Sequence, residues 1–281
     1  MLAGEEGIRI SGAGAQNKLM ITFIDKKIAI PIGSAPSTHI IKPEIQGIRE
    51  SVQNEYFCMK LAQKIGLPIP DVYIHWVKEK PYYLIERYDR RKNKNGTITR
   101  LHQEDFCQAL HFPPEMKYEN EGGPTLKDCF TLLDKRIESG SMAPKNKIIL
   151  LKGIIFNFLI GNRDAHGKNF SLLYDGKIEQ LAPFYDLMST IVYSNHFKAK
   201  MAMQLHRKYK FQEISLHQWE EFGKTIGFRS DFMKSHIMEL SNNIRAASQI
   251  LYEKLSKDLK TQSPIYEEII QGIKLRTSLF L

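Results

Sequence analysis

Between Arg49 and Gly66 the apolar positions Val52, Tyr56, Met59 and Ala62 fall at three- and four-residue spacing, so one helical face is predicted there, with Gly66 as its stop signal. Ile154 to Ile160 is an almost unbroken apolar run, which predicts a buried helix, and Phe232 to Leu255 repeats the helical period over a longer stretch. Shorter runs rich in β-branched and aromatic residues predict strands at Leu19 to Ile24, Thr38 to Pro43, Val72 to Val77 and Tyr82 to Ile85, with one more short strand ahead of Tyr185. Pro43 is expected to end strand pairing after Lys42. From about Glu104 onward the pattern is read as helical, and Tyr118 to Thr125, holding Gly122-Gly123-Pro124, is read as a loop. The result is an α+β chain: a small β-rich part over residues 1–86 and a larger, mainly helical part over 87–281.

At 281 residues and 42% hydrophobic, the chain can bury one large core or two lobes. No apolar run approaches the ~20 residues of a membrane span, and the first residues lack the charged, apolar and small segments of a secretion signal, so no membrane partner is expected. Cys58, Cys107 and Cys129 are too scattered for a disulfide framework or a paired-cysteine metal site, and the histidines lack zinc-enzyme spacing. A reducing, cytoplasmic setting is the expectation. Lys plus Arg exceeds Asp plus Glu by nine, with basic clusters at Arg87 to Lys94, His196 to Lys200 and His206 to Lys210, which predicts affinity for polyanions.

Asn162-Arg163-Asp164-Ala165-His166-Gly167-Lys168-Asn169 places an Asp and an Asn with four residues between them, and Tyr185-Asp186 adds a second Asp downstream. Phosphoryl transfer needs such a set, with one carboxylate to receive the proton of an acceptor hydroxyl and further oxygens to hold Mg²⁺ against a triphosphate. Asp164 is then the candidate base, and Asn169 and Asp186 the candidate metal ligands. Upstream, Ile8 to Lys18 is a small-residue segment entering a strand, able to bring backbone N–H groups close to phosphate, although it matches neither common phosphate-loop pattern. Lys42, at a strand end, is placed to grip phosphates, with Glu55 as its candidate ion-pair partner and Glu50 as the alternative. Glu86 to Tyr88 has the position of an extended linker that offers backbone groups to adenine.

Together, Ser11 to Lys18, His39-Ile40-Ile41-Lys42-Pro43, Glu86-Arg87-Tyr88-Asp89-Arg90, Arg100 to Gln108, Met116-Lys117-Tyr118-Glu119, Gly122-Gly123-Pro124 and the Asp164 loop resemble the HipA-type serine/threonine kinase toxins of bacterial toxin–antitoxin systems. The resemblance implies a two-lobed protein-kinase-like fold of the lipid-kinase-like branch, with ATP and Mg²⁺ as cofactors. It implies that Ala13, Gly14, Ala15, Gln16, Asn17 and Lys18 line the triphosphate, that Lys42 binds phosphate, and that Glu86 and Tyr88 flank adenine. Asp164 is implied as proton acceptor, with His166, Lys168, Asn169, Tyr185 and Asp186 contacting nucleotide or metal. Ser11 is implied as an autophosphorylation site, where a phosphate of about −1.5 to −2 charge repels the triphosphate and switches the enzyme off.

Full-length HipA toxins carry a long segment ahead of the glycine-rich loop. The chain therefore resembles the shorter HipT branch, with a fragment of a longer toxin as the alternative. The implied substrate is an aminoacyl-tRNA synthetase, with tRNA bound as one form of it, and the tryptophanyl enzyme is favoured over the glutamyl one. The implied partners are a small HipS-like antitoxin and a DNA-binding HipB-like antitoxin, without direct sequence-specific DNA binding by this chain. Two other readings share these residues: a weakly catalytic corepressor subunit, and a kinase acting on small molecules or lipids.

Overall fold

The computed structural model describes residues 17–24, 27–193, 196–197 and 199–281. The expectations for Ser11, Ala13, Gly14, Ala15 and Gln16 lie outside the described residues. The first part is built from β1 (Leu19–Ile24), β2 (Lys27–Ala29), β3 (His39–Pro43), α1 (Ser51–Lys64), β4 (Val72–Val77) and β5 (Lys80–Glu86). The strands form one antiparallel sheet in the order β2-β1-β3-β5-β4. Its register sets Lys42 opposite Tyr83, and Pro43 is still paired, opposite Tyr82, so the sheet runs one residue beyond the expected stop.

Helix α1 is buried on more than its apolar face. Val52, Met59 and Ala62 are in the core as the spacing predicts, but Gln53, Asn54 and Glu55 are buried as well, and Tyr56 is only half-buried. The reason is that α1 is enclosed between the sheet and two helices from the far end of the chain, with Phe57 stacked on Tyr266 at 4.8 Å between ring centroids. Local periodicity reports one face of a helix and cannot see a second layer that arrives some 200 residues later.

The rest of the chain begins with a two-stranded ribbon, β6 (Arg90–Lys92) and β7 (Ile98–Arg100), which absorbs much of the first basic cluster. It continues as β8 (His102–Asp105), α2 (Phe106–Ala109), α3 (Leu126–Glu138), α4 (Lys145–Ile160), β9 (Ser171–Asp175), β10 (Ile178–Leu181), α5 (Leu216–Thr225), α6 (Ser230–Leu255) and α7 (Ile265–Thr277). A three-stranded antiparallel sheet, β10-β9-β8, interrupts the expected helical region. Strand β8 is too short to show a period of its own and is stabilised by pairing with a partner about seventy residues away. Reciprocal caps start α2 and α3: Asp105 with Gln108, and Thr125 with Asp128.

The apolar run Ile154 to Ile160 is the buried second half of α4, which ends at Gly161 in the left-handed region, at φ 73°. Leu150, Ile155, Phe156 and Leu159 are fully buried, each contributing ~1.5–3 kcal/mol by leaving water. This helix therefore holds its C-terminus, and the polar loop that follows, at a fixed height in the molecule. Gly153 on α4 lies directly under Phe184; any Cβ at that position would overlap the Phe184 ring, so glycine sets how closely the Tyr185-Asp186 segment approaches. Among the described residues, no helix is long and apolar enough to cross a membrane.

Candidate active site

Lys42 lies on β3 with its side chain buried across Tyr83, the ammonium 5.4 Å from the ring centroid. It donates to Glu55 Oε1 at 2.9 Å and also pairs with Asp186 Oδ1. Glu55 is thus the partner; Glu50 instead accepts from Ser263 Oγ at 2.6 Å and faces Arg49. One ammonium between two carboxylates offsets the cost of burying Lys42 and Glu55, a cost that would be severe for either alone, while the Asp186 side chain is 46% exposed. Burial pushes Glu55 up to about 7. Burial also acts to lower Lys42, but the two carboxylates override it and hold the ammonium above the usual lysine range. For Asp186 the upward push of partial desolvation is overcome by Lys42, and the carboxyl stays below its ordinary value. Asp186 also adopts φ 53°, a left-handed conformation uncommon for a residue with a side chain.

The second half of the site is the loop after α4. Asn162 closes the helix end by donating to Asn157 Oδ1 at 2.8 Å, and its own Oδ1 accepts the Asp164 N–H at 3.0 Å. Asp164 is half-exposed, and its Oδ1 accepts the Tyr118 hydroxyl at 2.7 Å. His166 is buried, which lowers its pKa, and it feels the fields of both Asp164 and Asp186, so the two carboxylates belong to one site. Asn169 folds back so that its Oδ1 accepts the His166 N–H at 3.1 Å. A carbonyl oxygen has two lone pairs, so this bond leaves Asn169 able to serve a second partner.

The remaining expected residues gather around the same opening. Lys18 at the start of β1 is lowered by burial and feels Asp186, Lys42, Glu55 and Lys168, which places it and Lys168 there, while Asn17 beside it is exposed. Tyr185 is held by its hydroxyl, which donates to Lys168 O at 2.8 Å and shares a hydrogen with Ser171 Oγ at 2.6 Å. Tyr88 stacks on Tyr185, with centroids 6.0 Å apart, so the linker after β5 forms a wall of the site. Glu86 ends β5 with an exposed side chain.

The sequence alone gives several residues of the site no role. Asn54, beside Glu55, binds the backbone of Ser189 in both directions and also donates to the Tyr193 hydroxyl at 3.1 Å, tying α1 to the chain just after Asp186. Thr190 Oγ1 accepts the Arg163 N–H at 2.7 Å and donates to Gly161 O at 3.2 Å. Tyr118 reaches the Asp164 loop from 46 residues away. The polar triplet Gln53-Asn54-Glu55 becomes meaningful only once its burial inside α1 is known.

A strand lysine held by a helix glutamate and a downstream aspartate, together with an Asp-x4-Asn loop, is the set that kinases in general use for phosphoryl transfer. The sequence profile of the HipA-like C-terminal domain matches residues 10–248. The chain belongs to this family. Among relatives, it is similar to a putative kinase, Y4mE, of Sinorhizobium fredii, with 42% identity over 91% of this chain and 60% of that protein. It is also similar to the serine/threonine-protein kinase toxin HipA of Shewanella oneidensis, with 30% identity over 85% of this chain and 56% of that one. The chain thus spans a little over half the length of these curated relatives.

Among solved structures, HipA of Shewanella oneidensis, in a complex with HipB and operator DNA, superposes with a TM-score of 0.79 at 26% identity, covering all of this chain and 65% of that one. The Helicobacter pylori proinflammatory kinase CtkA superposes with a TM-score of 0.63 at 15% identity, over 97% of this chain and 91% of that one, and so shares the fold. The HipA-like chain therefore has the two-lobed α+β kinase fold, with a sheet-rich lobe and a mainly helical one.

Proposed function

We propose that this HipA-like chain is an ATP-dependent serine/threonine protein kinase, divided at Glu86 into a lobe of residues 1–86 and a lobe of residues 87–281. The observation that carries the reading is the shared ammonium of Lys42, held by Glu55 and Asp186, opposite an Asp164 carboxylate that is open to solvent on one side.

Asp186 and Asn169 suit Mg²⁺, which takes one or two protein oxygens and completes its shell with phosphate and water. The fit is supported by Asp186 remaining ionised beside Lys42. Bound Mg-ATP would supply the transferable phosphoryl group and the charge that offsets its oxygens. Lys42 would hold the α and β phosphates, with Lys18 and Lys168 adding positive charge at the same opening. Tyr88 and Tyr185 would wall the adenine side. Asp164 would take the proton of the acceptor hydroxyl as that oxygen bonds to the γ phosphorus, while the bond from γ phosphorus to its bridging oxygen breaks and ADP leaves.

The acceptor is inferred to be a translation factor, an aminoacyl-tRNA synthetase with the tryptophanyl enzyme ahead of the glutamyl one, and the outcome growth arrest in the cytoplasm. The excess of nine basic residues supports a substrate that carries nucleic acid. A HipB-like antitoxin partner is supported by the Shewanella neighbour, whose HipA was solved with HipB and operator DNA. A HipS-like antitoxin and autophosphorylation at Ser11 complete the proposal by family analogy.

Labelled ATP and a bacterial extract test it. The wild type should phosphorylate a dominant band on serine or threonine, and Asp164→Ala should not. Equal labelling by both would remove Asp164 from its role, and no labelling by either would overturn the kinase reading.

A further inference from the structure

The segment from Met116 to Pro124 is tightly built, yet phosphoryl transfer as described gives it no task. Gly123 N–H donates to Tyr118 O at 2.9 Å, and Gly167 N–H, from the Asp164 loop, donates to Lys117 O at 3.3 Å. A Cβ on Gly123 would stand 2.5 Å from Met116 O and 2.8 Å from Tyr118 O, so only glycine lets the loop fold this closely on itself. A Cβ on Gly167 would stand 2.5 Å from Pro124 Cγ, so the two loops are in direct contact. The Tyr118 ring is then fixed on two sides: edge-on to His166, with centroids 5.2 Å apart at 83°, and under Lys117, whose ammonium is 5.0 Å from the centroid.

Held there, the Tyr118 hydroxyl donates to Asp164 Oδ1 at 2.7 Å, an ordinary hydroxyl bond length that also meets the long end of the charge-assisted range. Burial and the neighbouring carboxylate both push the phenol's pKa up, so it remains a donor at any working pH. The other oxygen, Oδ2, is 4.0 Å from His166 Nε2, beyond hydrogen-bond distance, on a side chain that is 40% exposed. One oxygen is therefore engaged and the other presented. The residue after Tyr118 is anchored elsewhere: Glu119 N–H donates to Ala202 O at 3.2 Å, and Glu119 Oε2 accepts the Gln204 N–H at 2.7 Å. Two consecutive residues thus join Asp164 to the segment that follows Asp186 in the chain.

We propose that Tyr118 is a positioning residue for Asp164: its hydroxyl holds Oδ1 and turns Oδ2 toward the acceptor hydroxyl, with Glu119 docking the same loop on residues 202–204. The inference rests on the kinase reading. A carboxylate free to rotate about its own bond presents either oxygen over a range of directions, and proton transfer is sensitive to that geometry, a displacement of about 1 Å being enough to cost ~100-fold in rate.

Tyr118→Phe keeps the ring, its packing on His166 and its contact with Lys117, and removes only the hydroxyl. The expected result is a fall in kcat of about 10–100-fold, with KM for ATP and the thermal midpoint unchanged. A variant that keeps the wild-type kcat overturns the proposal, as does one that loses kcat and KM together. Wild type and Asp164→Ala run in the same assay separate the two readings: no transfer by the wild type brings down both, whereas wild-type transfer undiminished in Tyr118→Phe brings down the positioning role alone. The contact itself is read without turnover. With ¹³C-labelled tyrosine, the ring-carbon resonance next to the Tyr118 hydroxyl, assigned by its loss in Tyr118→Phe, should move in Asp164→Ala, and a resonance that stays in place overturns the proposal.

Discussion

Asn54 and Ser189 hold each other across 135 residues of chain: Asn54 Nδ2 donates to Ser189 O at 3.0 Å, and Ser189 N–H donates to Asn54 Oδ1 at 2.9 Å. The pair fixes α1, which carries Glu55, to the backbone three residues past Asp186. Both carboxylates that share Lys42 are therefore set by one side-chain amide. Truncation leaves a buried N–H, a buried carbonyl and the Tyr193 hydroxyl with fewer partners, at ~1–3 kcal/mol for an unsatisfied buried group. Asn54→Ala should lower the unfolding free energy by that amount, read as a lower urea midpoint with the slope unchanged, and activity should fall with it. A midpoint equal to wild type would mean that the contact contributes nothing to holding the lobes together.

Glu55→Gln separates holding the fold from holding the lysine. Because burial raises Glu55, ionising its carboxyl works against the folded state at neutral and higher pH, and removing that charge should leave the thermal midpoint unchanged or slightly higher. The cost should appear in function. Without a second carboxylate, the Lys42 ammonium rests on Asp186, and the apparent KM for Mg-ATP should rise about tenfold, matching ~1.5 kcal/mol for one hydrogen bond to a charged group. Steady-state kinetics at several magnesium concentrations check this; an unchanged KM would show that Glu55 has no part in positioning Lys42.

Acid should weaken the linker behind the cleft. Asp89 is buried, which acts to raise its pKa, but Arg87 grips it through two bonds, at 2.9 and 2.7 Å, and Arg90 through a third at 2.6 Å, and together they hold it below the usual aspartate value. Arg87 also donates to Ser37 Oγ at 3.0 Å, so the cluster ties the linker to the sheet-rich lobe. A depressed carboxyl stabilises the fold above its unfolded pKa of about 3.9, and that contribution disappears as pH falls through the folded value. Asp89→Asn should therefore cost on the order of 2 kcal/mol at pH 7, less than the ~3–5 of a fully buried pair because the arginines keep some contact with water. The gap in thermal midpoint between wild type and Asp89→Asn should hold down to about pH 5 and close below about pH 4. A gap that is constant from pH 7 to pH 3 would rule the cluster out as the acid-sensitive element.

Much of this molecule was legible from local pattern. Strands β1 and β4 fall at the expected residues, α4 contains the apolar run before the Asp164 loop, and α6 covers the long periodic stretch. Each of these elements is defined by side chains near one another in sequence, so a period of two or 3.6 reveals it. Lys42, Asp164, Asn169 and Asp186 could be singled out as candidates for a different reason: phosphoryl transfer restricts which side chains can serve, and their order along the chain is visible without knowledge of the fold. Glu55 was only one of two candidates, since both glutamates lie at the start of the same helix and spacing does not say which one faces β3.

What the sequence by itself determined is the set of local elements and the inventory of charged and amide groups that the chemistry requires. What only the tertiary structure decided is which of those groups share a partner: Glu55 over Glu50 on Lys42, Asn54 on Ser189, Tyr118 on Asp164, and β8 on β9. The physical reason is that these bonds join residues from 13 to 135 positions apart, where their geometry depends on how whole layers pack. A buried polar group forms them because leaving water without a partner costs more than ordering the chain to find one.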